Sequence, residues 1–161
     1  MATTFTGTLS GGLIGSYAKG TDLTAALEAI NFSFSSSYTN GTGENQANAL
    51  FADTRTLAAT SESFDLNAIT DTFGATLNFT KIKLLYIKNK STTAGQTLTI
   101  DGDFIASFDN GTGPNHILFA GGLLLKNEPI SGLTVTNTTQ DTLTLTNSAS
   151  FDYDIILLGT I

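Results

Sequence analysis

Apolar and polar residues alternate with a period of two along much of this chain. TLTI at 97–100, GLTVTN at 132–137 and DTLTLTN at 141–147 each put apolar residues on one face (Leu98 and Ile100; Leu133 and Val135; Leu143 and Leu145) and threonines on the other. Successive side chains of a strand point to opposite faces, so these segments are predicted half-buried strands. INFSFSSSY at 30–38 follows the same rule, with Ile30, Phe32 and Phe34 opposed to Asn31, Ser33 and Ser35. IKLLYI at 82–87 and DIILLG at 154–159 are apolar on both faces, which predicts strands covered on both sides or buried in a subunit contact. HILF and GLLL within 116–125 flank Ala120-Gly121-Gly122, where a bulge or bend is expected.

The punctuation between these runs belongs to β-proteins: Asn40-Gly41, Asp101-Gly102, Asn110-Gly111 and Glu128-Pro129. Asn-Gly and Asp-Gly supply the positive φ values that tight hairpins need. The near-repeat of NGTGEN (40–45) by NGTGPN (110–115) is therefore read as two strand-to-strand turns. TDLTAALEAI at 21–30 is a helical candidate, with Leu23, Ala26, Leu27 and Ile30 at helical spacing behind a possible Asp22 cap, and TDTFGA at 70–75 is a candidate single helical turn. The remainder reads as roughly eight to nine strands at about ten-residue intervals. The predicted fold class is all-β: a single-domain antiparallel β-sandwich of jelly-roll type over 21–161, an extended N-terminal arm over 1–20, and at most one or two short helices.

Composition narrows the field of functions. At 161 residues and 40% hydrophobic, the chain suits one domain with a substantial core. Charged residues are only 13% of it, and Thr, Ser, Asn and Gly dominate the polar remainder, as on strand-built surfaces. A net charge of −7 repels phosphate backbones and argues against nucleic acid as a partner. With no Cys there is no disulfide, thiolate metal site or cysteine nucleophile. MATTFTGTLSGGLIGSYAKG lacks the basic and continuous apolar regions of a secretion signal, and no apolar run approaches the ~20 residues of a membrane span, so a soluble protein without a membrane partner is expected.

Candidates for chemistry were weighed against structural roles. A phosphate loop needs a Lys after its glycines and a following helix, whereas the first NGTG copy is followed by Glu44 and Asn45. His116, the only histidine, sits at the start of an apolar strand with no nucleophile-elbow sequence in the chain, and is read as a strand-edge imidazole. One histidine without cysteine excludes a conventional zinc site. Asp101, Asp103 and Asp109 could offer oxygen ligands to calcium, but the twelve-residue loop with its terminal Glu is missing, so turn chemistry accounts for them. Asp53, Glu62, Asp65, Asp152 and Asp154 are the carboxylates available for a glycosidase pair, in a chain with no Trp to line a sugar cleft. No catalytic residue, cofactor or metal is expected. The six N-x-S/T sequons follow from a Thr- and Asn-rich composition.

Two surface features remain as interface candidates. Lys81, Lys83, Lys88 and Lys90 gather four of the seven basic residues around IKLLYI, as gatekeepers of an apolar strand or as a docking strip for an acidic neighbour. The N-terminal stretch carries isolated apolar residues, Phe5, Leu9, Leu13, Ile14 and Tyr17, with little periodicity, and is expected to be loose in a free subunit and to order on a neighbour. Deleting residues 2–18 is accordingly expected to leave the β-domain folded while weakening assembly.

The order of segments ANALFADTRTLAA (47–59), FGATLNFTKIKLLYIKN (73–89), ILFAGGLLL (117–125) and DTLTLTNSASFDYDIILLGT (141–160) resembles small virion structural proteins of tailed bacteriophages, similar to capsid decoration or cement proteins. The resemblance covers most of the chain beyond about residue 30. It implies a jelly-roll β-sandwich with no catalytic residues to carry over. Its partners would be the major capsid protein and the chain itself, as a homotrimer, and its place the virion surface after synthesis in the host cytoplasm. A receptor- or carbohydrate-binding β-domain of a spike or fibre is the alternative, motivated by the two polar NGTG loops.

Overall fold

A computed structural model describes residues 4–20, 25–58, 60–107 and 116–161. In chain order the strands are β1 (Gly7–Gly20), β2 (Ala25–Asn40), β3 (Gln46–Ala47), β4 (Ala49–Leu57), β5 (Ser61–Asp65), β6 (Ile69–Thr70), β7 (Thr76–Leu77), β8 (Lys81–Asn89), β9 (Thr97–Asp101), β10 (His116–Phe119), β11 (Leu123–Asn127), β12 (Leu133–Thr134), β13 (Thr142–Asn147) and β14 (Phe151–Thr160). One helix of four residues, α1 (Asp103–Ala106), follows β9. The protein is thus nearly all β, in several antiparallel sheets.

Two sheets carry the core. One runs β11–β8–β14–β4, with β12 beside the start of β8, and the other runs β10–β9–β13–β5. A single cluster of buried apolar side chains is drawn from both: Phe51, Ile82, Leu85, Ile87, Tyr153, Ile155 and Leu157 from the first, Phe64, Leu98, Ile100, Leu143 and Leu145 from the second. The predicted faces of residues 97–100 and 141–147 are therefore the inward ones. Their threonines point outward, where Ser61 bonds Thr146 at 2.8 Å and Ser63 bonds Thr144 at 2.9 Å across adjacent strands.

The two-faced apolar runs have a local cause. Along β8 and β14 the register steps from Leu158↔Leu84 to Gly159↔Ile82, so Lys83 has no residue opposite it. This bulge reverses the phase of β8: Ile82, Leu85 and Ile87 all reach the main core, although strict alternation would turn Ile82 away. Leu84 and Leu158 face the other side, where Tyr38 and Ala47 cover them in a second cluster. Gly159 is required at this step, because a Cβ there would lie 2.0 Å from the Lys81 carbonyl oxygen.

Several local expectations are corrected. The helical candidate at 21–30 enters β2 from Ala25, while residues 21–24 lie outside the described residues. A lone short helix is marginal, whereas the ladder with β1 pairs this backbone over fourteen residues. Residues 70–75 form a turn between β6 and β7: Asp71 Oδ1 accepts the Phe73 and Ala75 amides at 2.9 and 2.8 Å. NGTGEN joins β2 to β3, which run parallel, so it is not an antiparallel hairpin turn; NGTGPN lies outside the described residues. Asp101-Gly102 opens α1, with Gly102 at φ 112° and the Asp103 carboxylate accepting the Thr142 amide at 2.6 Å. Gly121, at φ 76°, makes the bend expected at 120–122 and passes the chain from one sheet to the other.

Candidate assembly interface

The N-terminal arm is one strand of a long antiparallel ribbon. β1 and β2 pair from Gly7↔Tyr38 to Gly20↔Ala25, which replaces the expected loose segment with a hydrogen-bonded ladder. The register sorts the two faces. On one lie Leu9, Leu13 and Tyr17 of β1 with Tyr38, Phe34, Phe32 and Ile30 of β2, and with Ser36 and Glu28 opposite Leu9 and Tyr17; on the other, mainly polar, lie Thr8, Ser10, Ile14 and Ser16 with Ser37, Ser35, Ser33, Asn31 and Ala29.

The root of the apolar face is fixed to the body. Tyr38 is 2% exposed and packs with Ala47, Leu84 and Leu158, with Phe5, Leu9 and Leu125 around them. Its hydroxyl donates to Asn127 Oδ1 and, at 3.4 Å, to the Lys83 carbonyl, while Asn127 Nδ2 donates to Ser36 Oγ at 2.8 Å. Burial, with Glu128 nearby, raises the Tyr38 pKa and keeps the phenol a donor at neutral pH. The Phe5 amide donates to Asn40 Oδ1 at 3.2 Å, which anchors the chain just before the ribbon.

Beyond this root the same face is uncovered. Leu13 (63% exposed), Tyr17 (62%), Phe32 (72%) and Phe34 (47%) continue the row begun by Tyr38 and Leu9, so the alternation in residues 30–38 is present, with Ile30 half-buried but Phe32 and Phe34 exposed. The expected interface residues divide accordingly. Phe5 and Leu9 belong to the root, Leu13 and Tyr17 to the open face, and Ile14, 79% exposed and paired with Asn31, to the polar face. A signal for this was present in GTLSGGLIGSY, where glycines at 7, 11 and 15 alternate with Leu9, Leu13 and Tyr17 on one face. That period of four can be read in β1 itself, but the aromatic residues that complete the face come from β2.

The lysine strip is broken up. Lys81 is exposed, but Lys83, at the bulge, is 2% exposed, with Nζ donating to the Ile130 and Pro129 carbonyls at 2.6 and 3.3 Å. Burial chiefly, and Lys81 beside it, lower the Lys83 pKa against a smaller opposing effect of Glu44. Its role is to hold the loop after β11. Lys88 and Lys90 lie at the far end of β8, where Lys90 pairs with Asp154 at 3.2 Å and Lys88 stands opposite the same residue. Burial disfavours the Asp154 carboxylate, but the Thr54 hydroxyl at 2.6 Å and Lys90 outweigh it and hold the pKa below the ordinary 3.8. A depressed carboxylate pKa adds stability above the unfolded-state pKa, and that contribution is lost as pH falls through the folded one. Asp154→Asn is therefore expected to cost less than about 1 kcal/mol at pH 7. Urea unfolding should show the difference from the parent vanishing as pH falls below 3.8.

The carboxylates considered for hydrolysis all have partners, and two of them, Asp53 and Asp154, line one open cavity with Thr54 and Tyr86. Arg55 pairs with Asp53 at 2.8 Å and with Glu62, lies 5.9 and 5.1 Å from the Phe51 and Phe64 rings, and so joins the edge strands β4 and β5. Tyr153 donates to Glu62 Oε2 at 2.6 Å; burial and this carboxylate push the phenol pKa up. Asp152 and Asp65 accept from the Thr56 hydroxyl and the Asn67 amide at 2.5 and 2.9 Å. His116 pairs with Ile100 at the start of β10. Among the described residues no group of three or more metal-ligating side chains occurs, and Asp109 lies outside them. In the first NGTG loop, Asn40 is engaged by Phe5, and Gln46 Oε1 accepts the Gly43 amide at 2.9 Å. No protein family, curated protein or solved structure matches the chain.

Proposed function

We propose that the chain is a virion structural protein that decorates the outer surface of an icosahedral bacteriophage capsid and stabilises it. The observation that carries this reading is the ribbon: a two-stranded element rooted in a β-body that presents an apolar face the chain itself leaves uncovered. Exposed apolar rows of this kind mark interaction sites. Support also comes from strand order. β4, β8, β11 and β14 lie in one sheet, in the order β4–β14–β8–β11 with β12 added on β8, and β5, β9, β10 and β13 in the other, in the order β5–β13–β9–β10; this order supports the reading as a jelly-roll sandwich, an architecture common in capsid proteins. The partners are the major capsid protein and further copies of the chain. A subunit that binds only the mature lattice stabilises it by mass action, in proportion to occupancy. Co-sedimentation with expanded capsids of a tailed bacteriophage whose genome encodes this chain tests the proposal. Saturable binding and a raised disruption temperature are expected; absence of binding, or a specific glycan ligand instead, would count against it.

A further inference from the structure

We infer that the distal apolar face of the β1–β2 ribbon is covered by the same face of another copy of this chain. The inference rests on the reading of the protein as an assembly subunit and adds the surface through which copies meet. Three observations lead to a second copy.

The first is continuity. Tyr38 and Leu9 already use this face to cover Leu84 and Leu158, and past Ser36 the pairs Phe34↔Gly11, Phe32↔Leu13 and Ile30↔Gly15 extend the same row as far as Tyr17, opposite Glu28. The second is charge. Residues 7–40 hold one Lys and two acidic residues, net −1, against −7 for the chain, so acidity is concentrated in the body; Glu28, opposite Tyr17, stands at the tip end of the apolar face, beyond Phe32 and Phe34. The third is shape. Of the three glycines on the apolar face of β1, Gly7 lies under the Phe5 ring and Gly11 under the Phe34 ring, where an added Cβ would meet ring carbons at 2.8 and 2.7 Å. Gly15 has nothing within 4 Å, so it leaves a notch between Leu13 and Tyr17 that the chain does not fill. A side chain from the partner's ribbon fills it.

The surface available is sufficient. With Leu13, Tyr17, Phe32 and Phe34 exposed by 63, 62, 72 and 47%, side chains of about 150–250 Å² leave roughly 500 Å² per copy. Two such faces together bury about 1,000 Å², the lower bound of a specific interface.

Sedimentation equilibrium on the full chain over a range of concentrations tests this, with three variants. Phe32→Ser should weaken self-association about 10-fold or more. Gly15→Val, whose Cβ meets nothing within 4 Å in the subunit, should weaken it while leaving thermal unfolding unchanged or raised. Ile14→Ser, on the polar face, should leave it unchanged. A parent chain that stays monomeric at its highest soluble concentration overturns the inference, as does an Ile14→Ser effect equal to that of Phe32→Ser, or a Gly15→Val chain that associates normally. Flotation of a monomeric chain with phosphatidylcholine vesicles would assign the face to lipid instead. Capsid binding is scored separately: a monomer that still binds capsids removes this inference alone, and an oligomer that binds none removes the decoration reading alone.

Discussion

Tyr38→Ala is expected to detach the ribbon from the body, at a cost of about 3–4 kcal/mol. The ring fills the second apolar cluster against Ala47, Leu84 and Leu158, and its loss also removes the donor to Asn127 Oδ1. Two terms therefore add, a cavity and an acceptor without its hydrogen bond. Because β1 and β2 are otherwise held mainly by each other, the loss should appear first as local opening rather than as global unfolding. Amide exchange near Gly7 and Ser37 should accelerate by about 100-fold or more, while β13 and β14 stay protected. Tyr38→Phe, which keeps the ring, should cost about 1 kcal/mol. Equal acceleration in all strands would show that the ribbon root is part of the main cooperative unit.

Gly159→Ala should be nearly as damaging for a different reason. Its Cβ would sit 2.0 Å from the Lys81 carbonyl oxygen and 3.0 Å from the Phe79 ring. The nearer atom is backbone of β8, paired with both β14 and β12, and cannot swing aside as a flexible side chain would. Relief requires moving the bulge at Lys83 or the ladder beyond it, at a cost of about 3 kcal/mol. Urea unfolding should show a lowered midpoint with an unchanged slope. A neutral Gly159→Ala would mean that the bulge does not fix the phase of β8.

The inward strands were legible because their signal is local. Alternation in residues 97–100 and 141–147 places Leu98, Ile100, Leu143 and Leu145 in the core, as a period of two requires. What escaped depended on partners distant in sequence. The phase switch at Lys83 is set by a mismatch with β14, more than seventy residues away, so a lysine that reads as a strand-rim gatekeeper is buried against the loop at 129–130. The amphipathic face of the ribbon likewise exists only once Leu13 is set beside Phe32 and Gly15 beside Ile30; β1 alone shows glycines and scattered apolar residues. The helical spacing of Ala26, Leu27 and Ile30 competed with that register and lost, because a fourteen-pair ladder outweighs the weak propensity of a short segment. The role of Arg55 was hidden for the same reason: nothing in the sequence places it between Asp53 and Glu62 with two aromatic rings beneath it.

The central claim is that a rooted ribbon presents one apolar face for another copy to cover. Amide hydrogen exchange of the intact protein, measured at a low and a high concentration, tests it most directly. The account predicts that protection of residues 10–17 and 28–35 rises with concentration while protection in β8, β13 and β14 does not change. Exchange in the ribbon that is independent of concentration up to the solubility limit would contradict it.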